Sequence, residues 1–271
     1  MEAHLRPSPP LVEFPAPIPM ARPLWTYVFM AVHVAVFLVM TLAGGTQNPA
    51  TLDRFGANTA WLIATQQQYW RLFTANFIHI GIVHLAFNLF ALFQLGRQIE
   101  ALYGRPRFLT LYLLSGLSGA IFSYMLTQGR SAGASTALFG LFGALVVYFY
   151  RHRQMFGRFG QQQLINLGII LLINVIIGLL PGSNIDNWGH LGGFIGGLIL
   201  SWFLCPSYVP MDPFERAFQV VVPRRRRPEL SNGVVMDANS LIRQALPVAA
   251  FGMGLVALTF IATALQRPFA P

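Results

Sequence analysis

Lysine does not occur in this chain of 271 residues, acidic residues number nine, and cysteine occurs once. Charged residues make up only 10% of the sequence, against about 25% in an ordinary soluble domain. The lone Cys205 cannot form an internal disulfide, and no Cys/His spacing matches a zinc site, so neither a disulfide scaffold nor a metal is expected. No cofactor is expected either. The first twenty residues are Pro-rich and have no apolar core, which argues for a flexible cytoplasmic tail rather than a cleaved signal peptide. Internal repeats of the kind built into transporters are not seen.

Apolar residues supply what the charges do not, at 55% of the chain. Charge-free apolar runs cover 24–43, 108–126, 135–150, 164–180, 188–204 and 245–264, and a further run over 81–95 can continue as helix past Arg97. A helix rising about 1.5 Å per residue crosses the hydrocarbon in roughly 17–25 residues. Each run is close to that length or can borrow flanking residues. Helices are the expected form because lipid offers no partner for backbone polar groups. The expected fold is therefore an all-α polytopic membrane protein of seven spans, six in a compact bundle and one apart.

The eighteen cations, all arginine, give a net charge of +9, and their placement argues against nucleic acid as a partner. With the N-terminus inside, Arg6, Arg22, Arg97, Arg105, Arg107, Arg151, Arg153, Arg158, Arg216, Arg224 to Arg227 and Arg243 fall on inner segments. Only Arg54, Arg71, Arg130 and Arg267 fall outside. This is the positive-inside pattern, with the C-terminus outside and the Arg224–Arg227 run as an inner-face determinant near anionic headgroups. The expected organisation is a Pro-rich cytoplasmic tail (1–22), a six-helix bundle (23–205), a basic cytoplasmic linker (206–243), and a seventh helix with a short outer tail (244–271). Trp61, Tyr69 and Trp70 suit an interfacial segment after the first helix.

On this topology four polar residues from three helices reach similar depth: Ser135, His190, His84 and Asn88. Polar side chains within a bilayer face a bundle interior or a water cavity and are functional suspects. His84 and Asn88 lie four apart and share a helix face. His79 and His84, five apart, point about 140° away from each other, a poor geometry for one metal. His190, Gly193 and Gly197 share a face, and small residues let membrane helices approach closely. A close crossing of the fourth and sixth helices would bring Ser135 to His190.

Each residue alone has a plainer reading. Ser135 alone reads as a helix N-cap, His190 as a packing histidine and Asn88 as interhelical glue. "GAST" is not the G-x-S-x-G elbow, and no strand precedes it, which excludes an α/β-hydrolase. His33 reads as a packing or interhelical residue, His152 as solvated in a cytoplasmic loop, and Arg71 and Glu100 as structural. Chemically, serine is a weak nucleophile until a base takes its proton, and a helix start offers unpaired N–H groups to an oxyanion.

Together, "HIGIVHLAFN", "GAST" and "GHLGGFIGG" resemble the rhomboid intramembrane serine proteases over roughly residues 70–204. An extra helix after the sixth also occurs in that family. The resemblance implies Ser135 as nucleophile, His190 as general base, and His84 and Asn88 as hydrogen-bond donors to the oxyanion beside the amide of Ser135. It implies supporting roles for Gly133, Phe139 (the aromatic packed on the histidine), His79 (structural), Gly193 and Gly197. It also matches Trp70–Arg71 to the family's Trp-Arg pair and Glu100 to a GxxxE step. Thr136 stands where the family commonly has glycine. The family uses a Ser-His dyad, so Asp186, four before His190, is not expected to act as a triad acid.

The implied activity is cleavage of transmembrane segments near the outer face of the membrane. The expected partners are single-span or other transmembrane proteins and the lipid bilayer. The expected location is a bacterial inner membrane. The alternative is a non-catalytic rhomboid-like protein that binds membrane helices for quality control, but such relatives usually lack the serine or the histidine. A channel or transporter is disfavoured because the spans lack ion-pathway charges.

Overall fold

The computed structural model describes residues 18–127, 129–183, 185–210 and 235–266. Most of the Pro-rich tail, the Arg224–Arg227 run, most of the basic linker, Asn184 and the residues after Gln266 lie outside the described residues.

Every apolar run becomes a helix. The first is α1 (Trp25–Leu42), followed by three short helices, α2 (Pro49–Phe55), α3 (Ala60–Gln66) and α4 (Arg71–Thr74). Helix α5 (Ile82–Ala91) continues through a π-helical turn, Leu92–Gly96, into α6 (Arg97–Tyr103). Then come α7 (Arg105–Leu126), α8 (Ser135–Arg151), α9 (Arg153–Leu179), α10 (Asn187–Leu204) and α11 (Ala245–Gln266). Among the described residues five helices are long and apolar enough to cross a membrane: Trp25–Leu42, Ile82–Tyr103, Arg105–Leu126, Arg153–Leu179 and Ala245–Gln266. Helix α8 is shorter, at 17 residues, and α10 carries five glycines, an asparagine and a histidine that dilute its apolar character.

Helices α7, α8 and α10 form the heart of the bundle. Lipid removes most of the hydrophobic drive for helix association, so dispersion contacts and close backbone approach must hold them. The glycines provide that approach. A methyl group added at Gly193 would collide with the carbonyl of Thr136, and one at Gly197 with the carbonyl of Gly140. At Gly143 it would come within 2.7 Å of the Phe194 carbonyl oxygen. On the α7 side, Ser118 Oγ donates to the Gly192 carbonyl at 2.9 Å. Tyr103, fully buried, donates to the Ala144 carbonyl at 2.8 Å and bonds Ser201 Oγ at 2.5 Å, tying α6, α8 and α10 at the end opposite Ser135.

Two charged side chains called structural from the sequence hold the frame. Buried Glu100 accepts from the backbone N–H groups of Leu24, Trp25 and Thr26 and from the Thr26 hydroxyl, all within 2.9 Å. These are orphan donors at the start of α1, where the helix dipole also favours a negative charge. Arg71 is buried, donates to the Ala57 carbonyl and Gln68 Oε1, and lies over the Trp70 ring at 4.8 Å.

Two short antiparallel strand pairs join distant segments. Strand β1 (Asn58–Thr59) pairs antiparallel with β2 (Arg130–Ser131), in register Asn58 with Ser131 and Thr59 with Arg130. At the opposite end, β3 (Tyr208–Pro210) pairs with β4 (Val235–Asp237). There Asp237 pairs with Arg107 at 2.5 Å, and Asn239 donates to the carbonyls of Phe203 and Cys205 at the end of α10. His152 lies in the same region, and the solvated reading of it is corrected. Its ring is half-buried against Tyr148 and Tyr208, with Nδ1 bonded to the Tyr148 carbonyl, and burial pushes its pKa below the usual range.

Candidate active site

Ser135 is the first residue of α8, and the N-cap is Ala134, with no side-chain capping bond. The N-cap reading of Ser135 is therefore corrected: the serine sits one position inside the helix, with its hydroxyl not engaged in capping. The turn that presents it is fixed from below. Gly133 N–H donates to the Ala75 carbonyl at 2.9 Å, and Ala134 N–H points at Nε2 of buried His79 at 3.4 Å. His79 meets His84 edge-on at 5.3 Å and His33 at 5.0 Å between ring centroids, and His33 Nε2 bonds Tyr112 OH at 2.8 Å. His33 therefore packs and bonds between helices, and His79 packs between His33, His84 and the turn before Ser135.

Gly133 carries φ +138°, a conformation that side chains rarely adopt. A methyl group there would lie 2.8 Å from His84 Nε2 and 3.7 Å from Ser135 Oγ, so this small space is bordered by both side chains. His84 Nδ1 accepts from Ile80 N–H at 3.4 Å, which assigns the ring proton to Nε2 and makes that nitrogen a donor toward the Gly133 space. Asn88 is buried; Nδ2 donates to the His84 carbonyl at 2.9 Å, and Oδ1 has no partner. The second amide hydrogen of Nδ2 is not used by that bond.

His190 lies in the first turn of α10, whose N-cap is Asp186. Its ring stacks on Phe139, centroids 4.1 Å apart and planes 15° apart. Phe139 stands one turn beyond Ser135 on α8, and the Gly193 contact with Thr136 sets α10 against the start of α8. The structure thus brings Gly133, Ser135, Phe139, His190, Gly193 and Gly197 to one crossing, with His84 beside Gly133 and Asn88 one turn further along α5. Ser135, His84 and His190 are half-buried, while His79 and Asn88 are enclosed. Among the described residues no hydrogen bond joins Ser135 Oγ to the His190 ring; such bonds are often long before substrate binds.

The sequence named Thr136 and Asp186 but not the partners that hold them. Thr136, out of the family pattern, is accommodated by Asn76, whose Oδ1 accepts from Thr136 Oγ1 at 2.5 Å, and by Gly119 and Gly189, which leave room for its methyl. Asp186 bonds Thr127, Ser131 and the Gly189 N–H rather than the His190 ring. Asn187 donates to the Gly178 carbonyl at 2.7 Å. No group of three or more His, Cys, Asp or Glu that could hold a metal ion occurs among the described residues.

A Rhomboid domain family model matches residues 66–207, more than half of the chain, which therefore belongs to the rhomboid family. With its several apolar spans it is an integral, multi-pass membrane protein. It is similar to "Rhomboid protease GluP" of Bacillus subtilis (strain 168), 45% identical over 177 residues, covering 65% of this chain and 34% of that protein. It is also similar to "RHOMBOID-like protein 1" of Arabidopsis thaliana, 31% identical over 212 residues, covering 77% of this chain and 53% of the relative. "Rhomboid-like protease 1" of Toxoplasma gondii is 35% identical over 176 residues, covering 60% of this chain and 57% of the relative. The chain spans between a third and somewhat over half of the length of these proteins.

Proposed function

We propose that this chain is an intramembrane serine endopeptidase that cleaves transmembrane segments of other membrane proteins through a Ser135–His190 dyad. The observation that supports the reading is the crossing of α8 and α10, where the His190 ring stacks on Phe139, one turn beyond Ser135, and Gly193 packs against Thr136. His190 as a neutral imidazole takes the Ser135 proton as the hydroxyl attacks the scissile carbonyl, and returns it to the leaving amine. Water then hydrolyses the acyl-enzyme by the reverse roles.

The oxyanion is stabilised by the Ser135 amide, the His84 Nε2–H and the Asn88 amide. Loss of one such donor commonly costs about 2.7–4 kcal/mol of transition-state stabilisation. Asp186 stands outside the dyad because its oxygens already serve three other donors. The relatives named as proteases support the activity. In the proposed arrangement residues 23–205 form a six-helix unit with the N-terminus cytoplasmic, the Ser135 end lies near the outer face, and α11 is a seventh span. A bacterial inner membrane is the proposed location.

The test is cleavage of a single-span reporter by the full chain in liposomes, compared with Ser135→Ala and His190→Ala. Both substitutions abolish cleavage, and a serine-directed fluorophosphonate labels the parent protein but not Ser135→Ala. Undiminished cleavage in either variant overturns the dyad. Absence of both cleavage and labelling in the parent protein favours a non-catalytic helix-binding protein.

A further inference from the structure

Among the described residues no hydrogen bond joins the Asp186 carboxylate to Ser135 Oγ or the His190 ring, although its backbone carbonyl accepts from the His190 N–H at 3.0 Å, yet the carboxylate connects the segments that carry both. Oδ1 accepts from the Gly189 N–H at 2.9 Å and from Thr127 Oγ1 at 2.6 Å, and Oδ2 accepts from Ser131 Oγ at 2.5 Å. Gly189 is the residue before His190. Ser131 lies four residues before Ser135, and Thr127 closes α7. One carboxylate therefore joins the end of α7, the loop leading to the serine, and the start of the histidine helix. Gly189 makes the approach possible, since a methyl group there would lie 2.6 Å from Asp186 Oδ2.

We propose that Asp186 is a positioning residue that sets the spacing of Ser135 and His190 by tethering Thr127 and Ser131 to the first turn of α10; the proposal rests on the dyad reading above. An ionised carboxylate is acceptor-only, which matches three donors, and bonds to a charged acceptor are about twice as strong as neutral ones. The negative charge also sits at the N-terminal end of α10, where the dipole favours it. The other side of the loop is held independently. Arg130 pairs with Asp53 through two bonds of 2.9 and 2.7 Å, and the β1–β2 register fixes Ser131 against Asn58. With that side fixed, the Asp186–Ser131 bond governs how close the loop stands to α10.

Asp186→Asn separates the tether from the cap. Asparagine caps a helix as well as aspartate does, so the Gly189 bond survives, while the charged oxygen facing Ser131 becomes an NH2 to which the hydroxyl can only turn as acceptor, a weaker, neutral bond. The experiment uses the full chain in liposomes with a transmembrane reporter, measuring kcat, KM and backbone hydrogen exchange for Asp186→Asn, Ser131→Ala and the double variant. Misplacement of reacting groups by a fraction of an ångström predicts a fall in kcat of about tenfold in each single variant, with KM within about twofold. The double variant is no worse than Ser131→Ala alone, because both substitutions act on one bond. Exchange quickens across 129–134 and is unchanged across 189–197.

Parent-level kcat in Asp186→Asn, additive losses, or unchanged loop exchange overturns the tether. So does a loss of about ten-thousand-fold in Asp186→Asn with Ser131→Ala silent, which is the mark of a triad acid acting on the histidine. If the parent protein cleaves nothing, the dyad reading fails on that result alone, and loop exchange in Asp186→Asn still decides whether the tether exists.

Discussion

Phe139 and His190 face each other nearly in parallel across the α8–α10 crossing, 4.1 Å between ring centroids. The phenyl ring covers one face of the imidazole and limits its rotation. An aromatic pair of this kind contributes about 0.5–1.5 kcal/mol beyond its buried area. Phe139→Ala therefore lowers kcat about tenfold through a less ordered base, while Phe139→Tyr keeps the stacked ring and most of the rate. Single-turnover cleavage in liposomes checks the pair. Equal rates for Phe139→Ala and the parent remove the ring from the mechanism.

The glycine crossing makes a prediction about stability. Gly193→Ala and Gly197→Ala force a methyl group into the carbonyls of Thr136 and Gly140. Overpacking of this kind costs about 1–3 kcal/mol. Gly252→Ala and Gly254→Ala, in α11 with nothing within 4 Å, are neutral or mildly stabilising, as alanine is favoured over glycine in helices by about 1 kcal/mol. Thermal unfolding in one detergent should lower the melting temperature for the first pair and spare the second.

Glu100→Ala leaves the N–H groups of Leu24, Trp25 and Thr26 without their carboxylate. An unsatisfied buried donor costs about 1–3 kcal/mol, so this variant melts well below the parent. Glu100→Gln, which keeps one acceptor oxygen, falls between the two. Equal melting of Glu100→Ala and the parent would mean that α1 begins without help from α6.

The Asp53–Arg130 pair supplies a pH-dependent prediction outside the spans. Partial burial pushes the Asp53 carboxyl upward, but hydrogen bonds from Arg130 and Thr59 and the Arg130 charge outweigh it, leaving the pKa below the ordinary 3.8. A depressed carboxylate stabilises the fold above its unfolded-state value, and that contribution is lost as pH falls through the native value. The pair is partly exposed, so Asp53→Asn costs about 0.2–1 kcal/mol at pH 7. The gap between variant and parent stays constant down to about pH 4 and closes on further acidification. A gap that widens in acid contradicts the pairing.

The helices were legible because a helix needs only a run of apolar residues, and each run became a helix, five of them long and apolar enough to cross a membrane among the described residues. The α8–α10 approach was legible from glycines at three- and four-residue spacing. What escaped depends on partners distant in sequence. The target of Glu100 lies some 75 residues away at the start of α1, and nothing local to Asp186 points to Thr127 or Ser131. The reading of His152 failed for the same reason: its neighbours in sequence are arginines, but its cover comes from Tyr208. Helix α9 begins at Arg153 rather than with the apolar run at 164, because "GQQQ" is polar without being helix-breaking; the backbone departs from helical geometry at Gly157 instead.

The π-helical turn at Leu92–Gly96 sets the phase between two tasks of one rod. Above it, α5 offers His84 and Asn88; below it, α6 offers Glu100 to α1. Each residue advances an α-helix by about 100°, so removing one residue from the turn would swing Glu100 about a quarter of the circumference away from the amides it serves. The widened turn thus works as a fixed angular offset, letting a single strut be read correctly at both tips.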